Sequence, residues 1–417
     1  MENFIISGGK KLHGEIRVDS AKNSLLALLA ASILTEKTVT LKKCPDISDI
    51  NSMLSILKSL GCKADRGGGG DIFIGCAEAD KYEIPPELAS EIRSSIFMLG
   101  PMLGRFKAAM VAYPGGCDIG IRPIDLHLKG LKDLNVKIKE ERGFIICDGS
   151  DMRGGDVHLD YPSVGATENV MMAAVLAKGV TTIRNAAKEP EIIDLQKFIN
   201  AMGGKVGGAG TPTIEIEGVR TLGAAEFSAM PDRIIAGTYI IACAMTGGKV
   251  KLTNVMPENI YALLGKLKDA YVKIECAENE IVVESERKPL SAQIIETLPY
   301  PGFPTDLQAQ FLSLQAISEG TCLIIENMFE TRFKHVPELI KMGANITVRD
   351  RMAIVRGVRK LEGAEVYARD LRGGAALVLA GLAASGKTTV HNIHHIDRGY
   401  ERLDEKLNSL GADIIRV

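Results

Sequence analysis

Six times along the chain a run of small apolar residues gives way to a turn and then to a strand rich in β-branched residues. The joints read LTEKTVTL (34–41), GRFKAAMV (104–111), AKGVTTIR (177–184), TGGKVKLT (246–253), SEGTCLII (318–325) and SGKTTVHN (385–392). Each is followed by a loop and a second segment with apolar residues at helical spacing, such as Met53, Leu57 and Leu60 or Leu403, Leu407 and Leu410. These second helices end at 60, 134, 202, 269, 342 and 410, a period of about 70 residues. A strand, a polar turn and another strand come next, as in VKIKEERGFIIC (136–147) and ITVRDRMAIVRG (346–357). The pattern therefore predicts a compact α+β unit used six times.

The sixth copy runs out at IIRV, before its second strand. Residues 4–22, FIISGGKKLHGEIRVDSAK, parallel 353–372, AIVRGVRKLEGAEVYARDLR, so the missing strand is expected at the start of the chain. The expected fold class is α+β, with two similar lobes of three repeated α/β units each. The first lobe is expected over 21–229, and the second, discontinuous, over 1–20 and 230–417. Two strands crossing between lobes near 20 and 230 would form a hinge, with the cleft there as the expected ligand site.

A length of 417 residues fits two domains, and 46% hydrophobic with 24% charged residues fits an ordinary globular chain. The net charge of -2 argues against a general nucleic-acid binder. The eight cysteines include no C-x-x-C pair and read as reduced, mostly buried thiols, not a disulfide framework. MENFIISGGKK lacks a signal-peptide layout, and no apolar run reaches membrane-spanning length. A cytoplasmic location without membrane partners is expected.

The small-residue helices open on polar residues: Lys22-Asn23, Arg93-Ser94-Ser95, Thr167-Glu168-Asn169, Asp232-Arg233, Thr305-Asp306 and Asp370-Leu371-Arg372. Thr305 or Asp306, Ser163 or Thr167, and Asp370 suit N-caps. Lys22, Arg93, Arg233 and Arg372 are different, because a cation is disfavoured at a helix N-terminus unless an anion joins it. Backbone N–H groups and guanidinium groups together make an anion site, so a multiply anionic ligand is expected. Salt bridges between domains are the alternative.

One copy departs from the repeat in its linker, YPGGCDIGIRPIDLH (113–127). Gly115 and Gly116 suit a flexible lid. Cys117 is the cysteine expected in an exposed loop, five residues before Arg122, whose charge would favour its thiolate. The three histidines of HNIHHIDRGYE (391–401) invite a metal, but on an extended segment His394 and His395 would face opposite ways. No zinc-spaced Cys or Glu accompanies them, so no metal is expected, and Arg398 is the better ligand contact. RGGGGD (66–71) reads as a hairpin turn. GLAASGKT (381–388) satisfies the P-loop pattern, but it joins a helix (373–384) to a strand (387–393), the reverse of the order a P-loop needs.

Eight segments carry a resemblance: AKNSLLALLAA (21–31), RSSIFMLGP (93–101), PGGCDIGIRPIDLH (114–127), SVGATENVMMAA (163–174), FPTDLQAQ (303–310), FETRFKHVPEL (329–339), DLRGGAALVLAG (370–381) and HIDRGYE (395–401). On these the chain resembles, over essentially its whole length, the UDP-N-acetylglucosamine 1-carboxyvinyltransferases of peptidoglycan synthesis. That family has two lobes of three repeats, an inside-out α/β barrel in each. The resemblance implies transfer of the enolpyruvyl group of phosphoenolpyruvate to the 3'-hydroxyl of UDP-N-acetylglucosamine through a tetrahedral intermediate, with release of phosphate and no cofactor.

It further implies Cys117 as the general acid, able also to form an adduct with phosphoenolpyruvate, and Asp306 as a candidate general base. Lys22, Arg122 and Arg398 match cations around the phosphate, and Arg332 and Arg372 those on the carboxylate side. Asn23 matches a substrate contact and Arg93 one nearer the nucleotide-sugar. Arg122, Pro123, Ile124, Asp125 and Leu126, with Ser163, Val164 and Met328, match the nucleotide-sugar pocket. Ser20, Ile235 and Gly373-Gly374 depart from the family pattern. The nearest rival is the sister enzyme acting on shikimate 3-phosphate, against which the PGGC loop and RPIDL segment speak.

Overall fold

The computed structural model describes residues 2–115, 124–286 and 290–417. The chain folds into two compact units, one of Met1–Asp19 and Pro231–Val417, the other of Ser20–Cys117 and Pro123–Met230 apart from the undescribed residues.

In each unit the small-residue segments form the centre. The six core helices, in order, are Lys22–Ala31, Leu99–Phe106, Val164–Ala174, Arg233–Thr246, Gln308–Gln315 and Leu371–Ala383. The fourth and sixth are buried at nearly every position, as a helix that is apolar all round must be. Small residues let the axes approach: a Cβ on Gly100 would lie 2.3 Å from the Asn169 carbonyl oxygen of the third core helix. The second helix of each repeat, such as Ser48–Ser59, buries only one face.

Among the described residues, three small sheets cover the helices of each unit. In five of the six, one strand pairs in parallel with the first strand of the repeat, which pairs antiparallel with one of two further strands, a hairpin in four of the five. In the remaining sheet (Ala108–Ala112, Phe144–Asp148, Lys137–Glu141) a Glu83–Met110 bridge stands in for the parallel strand. That strand comes from the end of a neighbouring repeat. Ala225–Ser228 returns to Val39–Lys42, and Leu12–Arg17 pairs with Gly248–Thr253, so the three repeats of each unit close on themselves. Phe4–Ser7 lies between Lys387–His391 and Ile414–Arg416, which supplies the strand missing from the sixth copy.

The joints explain GLAASGKT. Gly386 is left-handed (φ 88°) between the sixth core helix and its strand, and its carbonyl accepts the Gly8 N–H at 3.1 Å. Lys107, Gly179 and Gly320 are left-handed at the same place and accept the N–H groups of Gly149, Gly218 and Gly357. The Gly-Lys-Thr is a turn that lets a hairpin strand dock on a helix end, and no helix begins there.

Several expectations are corrected. The third core helix starts at Val164, one turn before Thr167, because the Ser163 hydroxyl accepts the Ala166 N–H and caps it. The second and fifth are preceded by tight 3-10 turns, Arg93–Met98 and Thr305–Leu307. Cys62 and Cys76 form a disulfide, against the reading of every cysteine as reduced. Lys63 pairs with Gly75 across the hairpin, so the next residues outward face each other with Cα atoms 4.3 Å apart, a register that spacing alone does not reveal. The 391–401 segment is not extended: Ile393–His395 forms a 3-10 turn, and the His394 and His395 rings sit 4.1 Å apart instead of facing opposite ways.

Candidate functional site

In the unit containing 231–417, Asp306 is held between two arginines. It stands in the 3-10 turn that leads into the fifth core helix. Its Oδ1 accepts from Arg332 Nη2 at 2.6 Å and its Oδ2 from Arg372 Nη2 at 3.2 Å. The arginine side chains are 3% and 4% exposed, whereas Asp306 keeps 28%, so the carboxylate is the member that reaches solvent. Burial works against the Arg372 charge, but Asp306 and then Tyr400 and Asp232 outweigh it and hold the guanidinium above its ordinary pKa. Arg332 Nε and Arg372 Nη1 are buried donors without a partner among the described residues. Two buried guanidinium groups with donors to spare suit a second anion.

Each of these side chains is placed by its backbone. Asp370 caps the sixth core helix through the Arg372 and Gly373 N–H groups, which fixes Arg372 in the first turn. A Cβ on Gly373 would lie 2.7 Å from Asp370 Oδ2, and one on Gly374 2.7 Å from Ile396, so both glycines keep this helix start close to its neighbours. Arg332 also donates to the Thr305 carbonyl at 3.2 Å, tying it to the turn that carries Asp306.

Glu326, which the sequence did not single out, organises the same region. Fully buried, it accepts from Thr297 and Thr305 hydroxyls and from the Met328 and Phe329 N–H groups. Half-buried Met328 and the Asp306 turn are thereby fixed to one carboxylate. Arg398 is half-buried, in the turn after Ile393–His395. Arg233 opens the fourth core helix and lies over the Tyr300 ring at 5.8 Å.

In the other unit Lys22 is the first residue of its helix, and its Nζ meets Asp49 Oδ2 at 2.9 Å, both side chains buried. The counter-ion of this helix-start cation is thus a carboxylate of the same unit. Asn23 follows, half-buried. Half-buried Arg93 donates from Nη1 to the Pro114 carbonyl at 3.3 Å, linking it to the start of the PGGC loop. Gly115 is needed for close approach, since a Cβ there would lie 2.1 Å from the Ser90 carbonyl oxygen. Ile124 is buried, Asp125 is exposed at the first turn of Asp125–Asp133, and Leu126 is half-buried. That helix is tied down by Asn169, whose Nδ2 lies 2.7 Å from His127 Nδ1 and also donates to the Ile96 carbonyl. Ser163 and Val164 are half-buried at the start of the third core helix.

Cys117, Arg122 and Pro123 lie outside the described residues. Among the described residues no group of three or more His, Cys, Asp or Glu is placed to hold a metal ion, and no helix is long and apolar enough to cross a membrane.

Comparison with known proteins bears on the family and the fold. The family described as EPSP synthase (3-phosphoshikimate 1-carboxyvinyltransferase) matches residues 6–407. The chain is 51% identical to UDP-N-acetylglucosamine 1-carboxyvinyltransferase 2 of Caldanaerobacter subterraneus, covering 100% of both chains. It is 48% identical to UDP-N-acetylglucosamine 1-carboxyvinyltransferase 1 of Carboxydothermus hydrogenoformans, covering 100% of this chain and 99% of that one. Among solved structures, the enolpyruvyl transferase NikO of Streptomyces tendae superposes with a TM-score of 0.89 at 25% identity, covering 100% and 99% of the two chains. EPSP synthase of Acinetobacter baumannii, at 18% identity, shares the fold with a TM-score of 0.76 over 100% of both chains. The fold is that of the enolpyruvyl transferases, and by identity along its whole length the chain belongs to the UDP-N-acetylglucosamine 1-carboxyvinyltransferase family.

Proposed function

We infer that the protein transfers the enolpyruvyl group of phosphoenolpyruvate to the 3'-hydroxyl of UDP-N-acetylglucosamine and releases phosphate, the first committed step of peptidoglycan precursor synthesis. The observation that carries this reading is Asp306 held between Arg332 and Arg372, a carboxylate reaching solvent beside two buried cations. Arg332 and Arg372 hold the phosphoenolpyruvate carboxylate through fork-shaped guanidinium donors. Lys22, Arg122 and Arg398 meet the phosphate. Asp306 takes the proton of the 3'-hydroxyl as its oxygen bonds to C2 of phosphoenolpyruvate, and Cys117 gives a proton to the methylene carbon. The resulting tetrahedral intermediate then loses a methyl proton as its C2–O bond to phosphate breaks, which restores the vinyl double bond. Asn23, Arg93, the segment 122–126, Ser163, Val164 and Met328 bind the nucleotide-sugar. The reaction needs no cofactor and belongs to the cytoplasm, where both substrates are made.

Phosphate release with phosphoenolpyruvate and either UDP-N-acetylglucosamine or shikimate 3-phosphate tests this reading. Release is expected with the nucleotide-sugar alone. Cys117→Ala and Asp306→Asn are each expected to lower kcat by about a hundredfold or more, the usual scale of general acid–base catalysis. Release with shikimate 3-phosphate alone, or full turnover in both variants, would overturn it.

A further inference from the structure

Behind Arg372, three polar side chains meet at a point where the packing would otherwise be apolar. Thr238 comes from the fourth core helix, Gln310 from the fifth, and Tyr400 from the segment after Ile393–His395. Thr238 and Gln310 are 0% exposed and Tyr400 is 1% exposed. Gln310 Nε2 donates to Thr238 Oγ1 at 3.3 Å and to the Tyr400 hydroxyl at 3.1 Å, and the two hydroxyl oxygens are 3.0 Å apart.

The proton positions follow from counting donors. The Thr238 hydroxyl donates to the Ile234 carbonyl at 2.8 Å, so towards its other neighbours it accepts. The two amide hydrogens of Gln310 go to Thr238 and Tyr400. Tyr400 therefore donates to Thr238, so every donor of the three groups has an acceptor, while Gln310 Oε1 is buried without a partner among the described residues. The two hydrogen bonds tie the Tyr400 hydroxyl to the fourth and fifth core helices at once. The Tyr400 ring they fix lies under the Arg372 guanidinium, whose carbon is 5.5 Å from the ring centroid.

We propose that Tyr400 is a positioning residue of the transfer reaction: locked by Gln310 and Thr238, its ring sets the plane of the Arg372 guanidinium and so the affinity for the substrate carboxylate. Tyr400 acts through Arg372 and does not touch substrate. The proposal rests on the reading of Arg372 as a carboxylate-binding cation.

The test varies phosphoenolpyruvate at saturating UDP-N-acetylglucosamine, and the reverse, for wild type, Tyr400→Phe, Tyr400→Leu, Arg372→Ala and the Tyr400→Phe/Arg372→Ala double variant. Tyr400→Leu should raise KM for phosphoenolpyruvate about tenfold, in keeping with loss of a desolvated cation–π contact. Tyr400→Phe should raise it about threefold, because the ring stays while the two hydrogen bonds that fix it are lost. KM for the nucleotide-sugar should stay within about twofold, and Tyr400→Phe should add nothing once Arg372 is alanine, because a positioning effect has no target left. Equal changes in both KM values, or an undiminished Tyr400→Phe effect in the double variant, would overturn the proposal. Should Tyr400→Leu fail to fold, Tyr400→Phe alone and in the double variant decides. If Arg372→Ala leaves KM for phosphoenolpyruvate unchanged, the reading of Arg372 itself fails, a result separate from failure at Tyr400.

Discussion

His335 shows how a single residue near the candidate site ties folding to pH. It is buried beside Arg332 and Asp370, and burial above all holds its imidazole at about 4. Asp370 pulls that value up and Arg332 pushes it down. An unfolded chain protonates this group near 6.5. Between those values the unfolded state binds more protons, so stability falls as pH drops from 6.5 towards 4. The full shift corresponds to about 3 kcal/mol. Denaturant midpoints at pH 7 and pH 4.5 should therefore differ less in His335→Gln than in wild type. An equal acid loss in both would contradict this assignment.

The cysteines give a second check at the same scale. Burial pushes the thiols of Cys44, Cys147, Cys243 and Cys322 up to about 12. At pH 8 only about one in ten thousand would be a thiolate, the reactive form. Mass mapping after brief alkylation of the native protein should find these four unmodified and exposed Cys276 labelled. Labelling of the buried four at a rate like that of Cys276 would count against the packing described.

At the level of elements, glycines separate conformational from steric demands. Gly386 is left-handed with nothing within 4 Å of a Cβ, so Gly386→Ala should cost only about 1–2 kcal/mol, the left-handed penalty of an L-residue. At Gly357 a Cβ would lie 1.5 Å from the Ser318 carbonyl oxygen, which forces a hairpin strand off its joint. Gly357→Ala should lower the melting temperature several times as far as Gly386→Ala. Similar losses in both would show that the joints are not built as described.

The same elements show what the sequence could reveal. The repeat was legible because small-residue helices, joints and hairpins differ in period, and each occurs six times. The parallel of residues 4–22 with 353–372 placed the Phe4–Ser7 strand correctly in the last sheet. Helix-start cations were legible as breaches of helix electrostatics, yet their partners were not. Lys22 meets Asp49, 27 positions away, and Arg372 meets Asp306, 66 positions away. Glu326, Gln310 and Tyr400 were missed because a single buried polar residue, after a strand, in a helix or in a connecting segment, carries no local signature. The Cys62–Cys76 bridge needed a hairpin register, and the close, tilted His394–His395 pair needed the left-handed turn at Asn392.

At the scale of the whole chain, each unit is a closed set of three repeats, because a strand from the third returns to the sheet of the first. Closure leaves the core helices wrapped by sheets, and charged side chains meet at and beside the polar N-terminal turns of these helices. Asp306, Arg332 and Arg372 gather there in one unit, and Lys22 with Asp49 in the other. Relatives 46–51% identical along the chain are UDP-N-acetylglucosamine 1-carboxyvinyltransferases, and we propose that these charged groups serve enolpyruvyl transfer. The most direct test is the identity of the product. The protein is incubated with phosphoenolpyruvate and UDP-N-acetylglucosamine, and the nucleotide-sugar is recovered for mass and proton NMR spectra. The account predicts one enolpyruvyl group in ether linkage at the 3'-oxygen, formed in step with phosphate. Recovery of unmodified nucleotide-sugar, or an enolpyruvyl group on another oxygen, would contradict it.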